Sequence, residues 1–157
     1  MKLQRVYLDT SALVGCFDPE FAEWSSGLMQ DFRNGLFKPL FSQVTATELQ
    51  DAPEKVQAVY AELLTLGVEM NEATESALEL ADGTKSIASC PPPSFTMMVC
   101  TLRPTVGEAD VLVSWNYKHI VRFDKIRLFN AVNLECGYKP LQIFSPREVT
   151  TYGRAEN

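Results

Sequence analysis

The feature that most constrains this chain is a regular alternation of short apolar runs with stretches of helical period. Arg5-Val6-Tyr7-Leu8-Asp9, Phe37 to Phe41, Val68-Glu69-Met70, Val111-Leu112-Val113-Ser114 and Leu141-Gln142-Ile143-Phe144 each read as a brief strand. Between them Phe21, Trp24, Leu28 and Phe32 recur at helical spacing. So do Val56, Val59, Tyr60, Leu63 and Leu64, and later, over Lys125 to Cys136, so do Ile126, Phe129, Val132 and Cys136. The punctuation agrees. Gly35, Gly67 and Gly137 follow three of these helical runs, and Pro53 suits a first helical turn. Thr10-Ser11 can cap the apolar turn 12–14, and Ser42 can cap a helix over 44–49. Residues 72–81 also read as helical. Ser145-Pro146-Arg147-Glu148 has the spacing of a capping box. Such a pattern builds βαβ units with right-handed crossovers, so a mainly parallel sheet covered by helices on both faces is expected. The chain has 157 residues, no internal repeat and no linker, so one domain spanning 1–157 is expected.

Composition narrows the class. Hydrophobic residues make up 46% of the chain, enough for a continuous core. No apolar run approaches the length of a membrane span. The N-terminus lacks the apolar region and cleavage site of a signal peptide, so a cytoplasmic protein is expected. Cys16, Cys90, Cys100 and Cys136 show no C-x-x-C spacing, and His119 is the sole histidine. This argues against zinc and for reduced, mostly buried thiols. The net charge of -6 argues against broad binding to a phosphate backbone. It leaves room for an acidic metal pocket with a local basic rim. Lys118, His119, Arg122, Lys125 and Arg127 crowd into ten residues and supply such a rim, or else a solvated helix face.

In open α/β sheets ligands bind beyond the carboxyl ends of the strands. Asp9 ends the first strand, Asn116 follows the Val111–Ser114 strand, and Glu48 sits near the start of a helix leaving the second strand. Three oxygen-bearing side chains therefore share one edge, and hard cations such as Mg²⁺ or Mn²⁺ want such ligands. A metal there can activate water and stabilise charge on a phosphodiester. Each residue has a plainer reading too: Asp9 as a helix cap, Glu48 as a surface acid, Asn116 as a turn residue. Neither G-x-x-x-x-G-K-[ST] nor G-x-G-x-x-G occurs, which counts against a nucleotide-phosphate cradle.

The runs VYLDTSALVGCFD, SQVTATELQDAPEKV, ADVLVSWNYKHIV, LFNAVNLECGY and SPREV resemble a bacterial branch of the PIN-domain family. The resemblance covers most of the chain outside 83–105. It implies a PIN-like three-layer α/β/α sandwich with a mainly parallel sheet, and Mg²⁺- or Mn²⁺-dependent ribonuclease activity. It also implies the toxin role of a toxin–antitoxin pair, with an antitoxin protein and RNA as partners and a homodimer as the assembly. The family's first acid matches Asp9, its second Glu48, and its fourth position Asn116. Ser114 and His119 match polar residues around that turn. Ser114 then offers a hydrogen bond to the site, and His119 either contacts RNA or serves the structure. Lys118 and Arg122 are further candidates for substrate binding.

The chain departs from the family at the third acid. That acid belongs on a helix where this chain has residues 83–105, GTKSIASCPPPSFTMMVCTLRPT, and no Asp or Glu lies between Asp82 and Glu108. Asp110 begins the next strand, at the wrong edge of the sheet. A neighbouring reading frame, entered at the last base of the Met97 codon, must give Asp, then Gly, then Leu, Met or Val, then His or Tyr. Asp-Gly-Leu-His, the family's missing helix start, is allowed. Two compensating frame shifts around this segment are therefore expected, and the nucleotide sequence across these codons tests that. The leading expectation is a PIN-type endoribonuclease, impaired if the third carboxylate is absent. The alternative is a PIN-like protein without catalysis that binds an antitoxin helix or another copy of itself.

Overall fold

The computed structural model describes residues 2–67, 69–71, 109–118, 120–135 and 139–153. Strands β1 (Gln4–Leu8), β2 (Phe37–Ser42), β3 (Glu69–Asn71), β4 (Val111–Val113) and β5 (Gln142–Phe144) form one sheet in the order β3-β2-β1-β4-β5. Every pairing is parallel, as the alternation of strands and helices requires. The central register sets Val6 against Pro39 on one side and Val111 on the other. Helices α1 (Thr10–Val14), α2 (Ala22–Arg33), α3 (Gln43–Gln50), α4 (Glu54–Thr65) and α5 (Phe123–Glu135) lie between the strands, and α6 (Pro146–Val149) follows β5. A 3-10 turn, Gly15–Phe17, follows α1.

Because side chains alternate across a strand, β1 feeds two cores. Val6 and Leu8 join Phe41, Leu13, Leu28, Phe32, Leu49, Val56 and Leu63 on the face covered by α1 to α4. Tyr7 joins Leu40, Leu112, Ile143 and Phe129 on the face covered by α5. The result is a three-layer α/β/α sandwich. β4 and the last three residues of β1 are unbroken apolar runs because both their faces are buried there. Truncating Phe41 or Phe129, both 0% exposed, removes the centre of one layer, and such a change costs about 3–5 kcal/mol.

Local expectations met small corrections. The helix expected from Phe21 begins at Ala22, and the one expected from Lys125 begins at Phe123. Pro53 lies outside α4 at its N-cap, because its ψ of 147° is extended. On α4, Val56 and Leu63 are buried but Leu64 is 41% exposed, at the margin of the apolar stripe. α3 starts directly after β2. Gly35 and Gly67 end α2 and α4 with φ of 73° and 84°, as a left-handed stop requires. Cys16 carries a free thiol that burial pushes up to about 11, so it stays protonated at neutral pH. The expected helix 72–81, the segment 83–105, His119, Gly137 and the other cysteines lie outside the described residues.

The chain after β5 folds back onto α2. Glu148 accepts from both the Ser145 N–H (2.8 Å) and its hydroxyl (3.0 Å), so the expected capping residues do close the short α6. Asp31, 3% exposed, then accepts from the Thr150 hydroxyl (2.8 Å), the Thr151 N–H (2.9 Å) and the Thr151 hydroxyl (2.5 Å). Tyr152 lies edge-on to Trp24 and so close to Gly27 that an added Cβ there would stand 2.5 Å from the Tyr152 Cβ.

Candidate functional site

The strand order reverses between β1 and β4, with β2 and β3 to one side and β5 to the other. In such sheets the crevice for a ligand opens at the carboxyl ends of the two strands flanking the reversal. Asp9 stands there. Its N–H donates to Val113 O at 3.1 Å, continuing the β1–β4 ladder one residue past β1. It occupies the N-cap position of α1, yet its side chain makes no capping bond to the helix backbone. The capping explanation for this acid therefore fails.

The carboxylate is engaged elsewhere. Ser11 Oγ donates to Asp9 Oδ2 at 2.7 Å, and Ser114 Oγ donates to the same oxygen at 2.9 Å. Each hydroxyl in turn accepts a backbone N–H at 3.0 Å, Ser11 from Trp115 and Ser114 from Asn116. Each amide takes one lone pair of its serine, which favours turning the hydroxyl protons to the acid, although the two serine oxygens also lie 3.2 Å apart. Ser114 is fully buried and its N–H is bound to Phe144 O at 3.1 Å, so the clamp rests on the sheet itself. The wall behind it is also fixed. The Trp115 indole N–H donates to Ser25 Oγ at 2.7 Å, and its ring stacks on Phe21 at 4.3 Å. A Cβ at Gly15 would stand 2.5 Å from that indole nitrogen, so only glycine fits there.

Glu48 reaches the same edge from α3. Thr45, one turn earlier, is buried against the Tyr7 hydroxyl at 3.0 Å, and Leu49 is buried in the core. These two anchors set the rotation of α3 and leave Glu48 on its exposed face. Glu48 Oε2 accepts from Thr10 Oγ1 at 2.5 Å. The two acids thus flank the Thr10-Ser11 pair. Asn116 is half-buried, and its carbonyl accepts the N–H groups of Ile120 (3.0 Å) and Val121 (2.9 Å), which fixes the turn after β4. The parts of Thr10 and Ser11 were missed in the sequence, where they read as caps. The available signal was two hydroxyl residues directly after an acid at a strand end.

The oxygen-only donor set fits a hard cation. Among the described residues no group of three His, Cys, Asp or Glu side chains is placed to hold a metal. Asp9 and Glu48 supply two carboxylates at this edge, and Mg²⁺, which keeps much of its water, is commonly held by one or two. Asp110 lies at the opposite edge, as its position in the sequence indicated. It accepts the Arg5 N–H at 2.8 Å and meets Lys139 at 3.3 Å. Burial raises its pKa, but the Arg5 N–H, Lys139 and Lys2 together hold the carboxyl below its usual range.

The basic rim is only partly available. Lys118 is exposed beside Asn116. Arg122 forks onto Asp124 at 2.9 and 3.1 Å, and Arg127 lies over the Phe123 ring at 5.6 Å. His119 lies outside the described residues. Among these residues no helix is long and apolar enough to cross a membrane.

No protein-family model matches the sequence, and no curated protein matches it. Among solved structures, a chain of VapBC2 from Rickettsia felis, determined bound to a DNA fragment from their promoter, shares the fold. The TM-score is 0.56 at 13% identity, covering 89% of this chain and 98% of that one. The three-layer sandwich with its parallel sheet is a PIN-like α/β/α fold.

Proposed function

We propose that this chain is a metal-dependent endoribonuclease in which Asp9 and Glu48 hold Mg²⁺ or Mn²⁺, directly or through water, and Asn116 completes the shell or holds a bound water. The observation that carries this reading is the setting of Asp9. It stands at the reversal point of the sheet, is released from capping, and is clamped through Oδ2 by two serine hydroxyls that are themselves oriented by backbone amides. A side chain held this way needs little further ordering to bind a cation. Such an ion, when bound, supplies an activated water and stabilises charge on a phosphodiester. Ser11 and Ser114 orient the first carboxylate, Thr10 orients the second, and Lys118 offers a positive charge to a phosphate. Single-stranded or looped RNA is the proposed substrate, since splayed strands reach a pocket that a duplex does not.

A second reading, a non-enzymatic module that binds an antitoxin helix or a second copy of the chain, is favoured by one observation. No third acid joins Asp9 and Glu48 among the described residues. Incubation of a mixed RNA substrate with Mn²⁺ or Mg²⁺ separates the two. Cleavage that disappears with EDTA and in Asp9→Asn is expected. Cleavage no greater than that of the variant would leave the scaffold without its chemistry and favour the second reading.

A further inference from the structure

We propose that the groove beside β5 is a stacking subsite for an unpaired base of the RNA, an inference that rests on the ribonuclease reading. The groove has a volume of about 590 Å³ and is lined by Tyr117, Val121, Phe123, Ile126, Phe144 and Arg147, among others. Its aromatic rings are turned outward rather than packed. Phe123 is 77% exposed, Tyr117 48% and Phe144 36%. The Arg127 guanidinium covers the Phe123 ring at 5.6 Å, an arrangement that adds positive charge beside an open π surface.

Charge decides which partner suits this surface. The whole chain carries -6, yet Lys118, Arg122, Lys125 and Arg127 fall in the stretch that supplies Tyr117, Val121, Phe123 and Ile126 to the groove; its one acid, Asp124, takes up Arg122, and the groove wall itself adds Arg147 and Glu148. Exposed aromatics among cations are the pattern that holds single strands: the charges follow the phosphates and the rings stack the bases. A protein-docking centre is instead depleted of charge.

The groove is also tied to the acidic site through the backbone. Phe144 O holds the Ser114 N–H, and Asn116 O holds the Val121 N–H. β5 lies two strands from β1, roughly 10 Å at the usual strand spacing. A strand lying across the carboxyl edge can therefore place a phosphate at Asp9 and a neighbouring base in the groove.

The test is fluorescence anisotropy with two labelled probes in EDTA, a short oligoadenylate RNA and an abasic strand of equal length and charge. The wild-type protein is expected to bind the oligoadenylate more tightly. Phe123→Ala is expected to lose about tenfold in affinity for it while binding the abasic strand unchanged, and Phe123→Trp to restore the difference. Phe123 is so exposed that its truncation removes little packing, and a thermal melt confirms the fold. Equal binding of the two probes, binding of neither, or no loss in Phe123→Ala overturns the subsite. So does a dimer in sedimentation that Phe123→Ala dissolves without any effect on RNA, which would assign the groove to a second copy. Base-dependent binding without cleavage in Mn²⁺ would defeat the nuclease reading alone, and cleavage without base-dependent binding would defeat the subsite alone.

Discussion

At the scale of single residues, the site is a set of directed hydroxyls. Ser11 and Ser114 both donate to Asp9 Oδ2, so either serine can partly cover the loss of the other. Ser114→Ala should cost about 1.5–3 kcal/mol, the worth of a hydrogen bond to a charged group. Ser11→Ala with Ser114→Ala should cost more than the two single changes added, because Oδ2 then has neither donor. Urea denaturation of the four proteins measures this coupling, and strict additivity would show that the serines do not share the acid. The sequence made Asp9, Glu48 and Asn116 legible through their place at strand ends. It could not separate a capping aspartate from a clamped one, since both need an acid followed by hydroxyl residues. Only the position of Ser114, brought alongside by β4, decides between them.

At the scale of elements, the last residues described act as a strap on α2. Asp31→Ala should destabilise the fold by about 2–3 kcal/mol, because it strips partners from the buried Thr150 hydroxyl as well as from the Thr151 N–H. A calorimetric or urea midpoint unchanged from wild type would show that the strap bears no load. This strap was illegible in the sequence. Asp31 reads there as one more polar residue of an amphipathic helix, and its acceptors' partners lie over a hundred residues away. The strands and helices themselves were legible because a short apolar run and the 3.6-residue period are both local signals. Their ends were less so. α5 begins two residues before its expected start, and Pro53 stands outside α4, because end positions depend on neighbouring turns rather than on period.

At the scale of the whole molecule, the two edges of the sheet divide the labour. The carboxyl edge gathers the candidate chemistry, whereas the other is tied by Asp110 to Arg5 and Lys139. The Asp110 carboxyl in the folded chain sits below the ordinary aspartate value. Its contribution is therefore fully present above that value and is lost as pH falls through the folded pKa. Between about pH 5 and pH 2 the urea midpoint of the wild type should fall further than that of Asp110→Asn, which keeps an acceptor for the Arg5 N–H but cannot titrate. Parallel curves would remove Asp110 from the acid response. The parallel sheet also imposes an order in time. Asp9 and Glu48 belong to the first third of the chain, but the serine that aims Asp9 stands 105 residues later. At synthesis rates of about 5–20 residues per second, a growing chain spends on the order of three to thirteen seconds holding both acids without the strand that joins them into a site. If this chain cuts RNA, it is harmless to the message from which it is still being read.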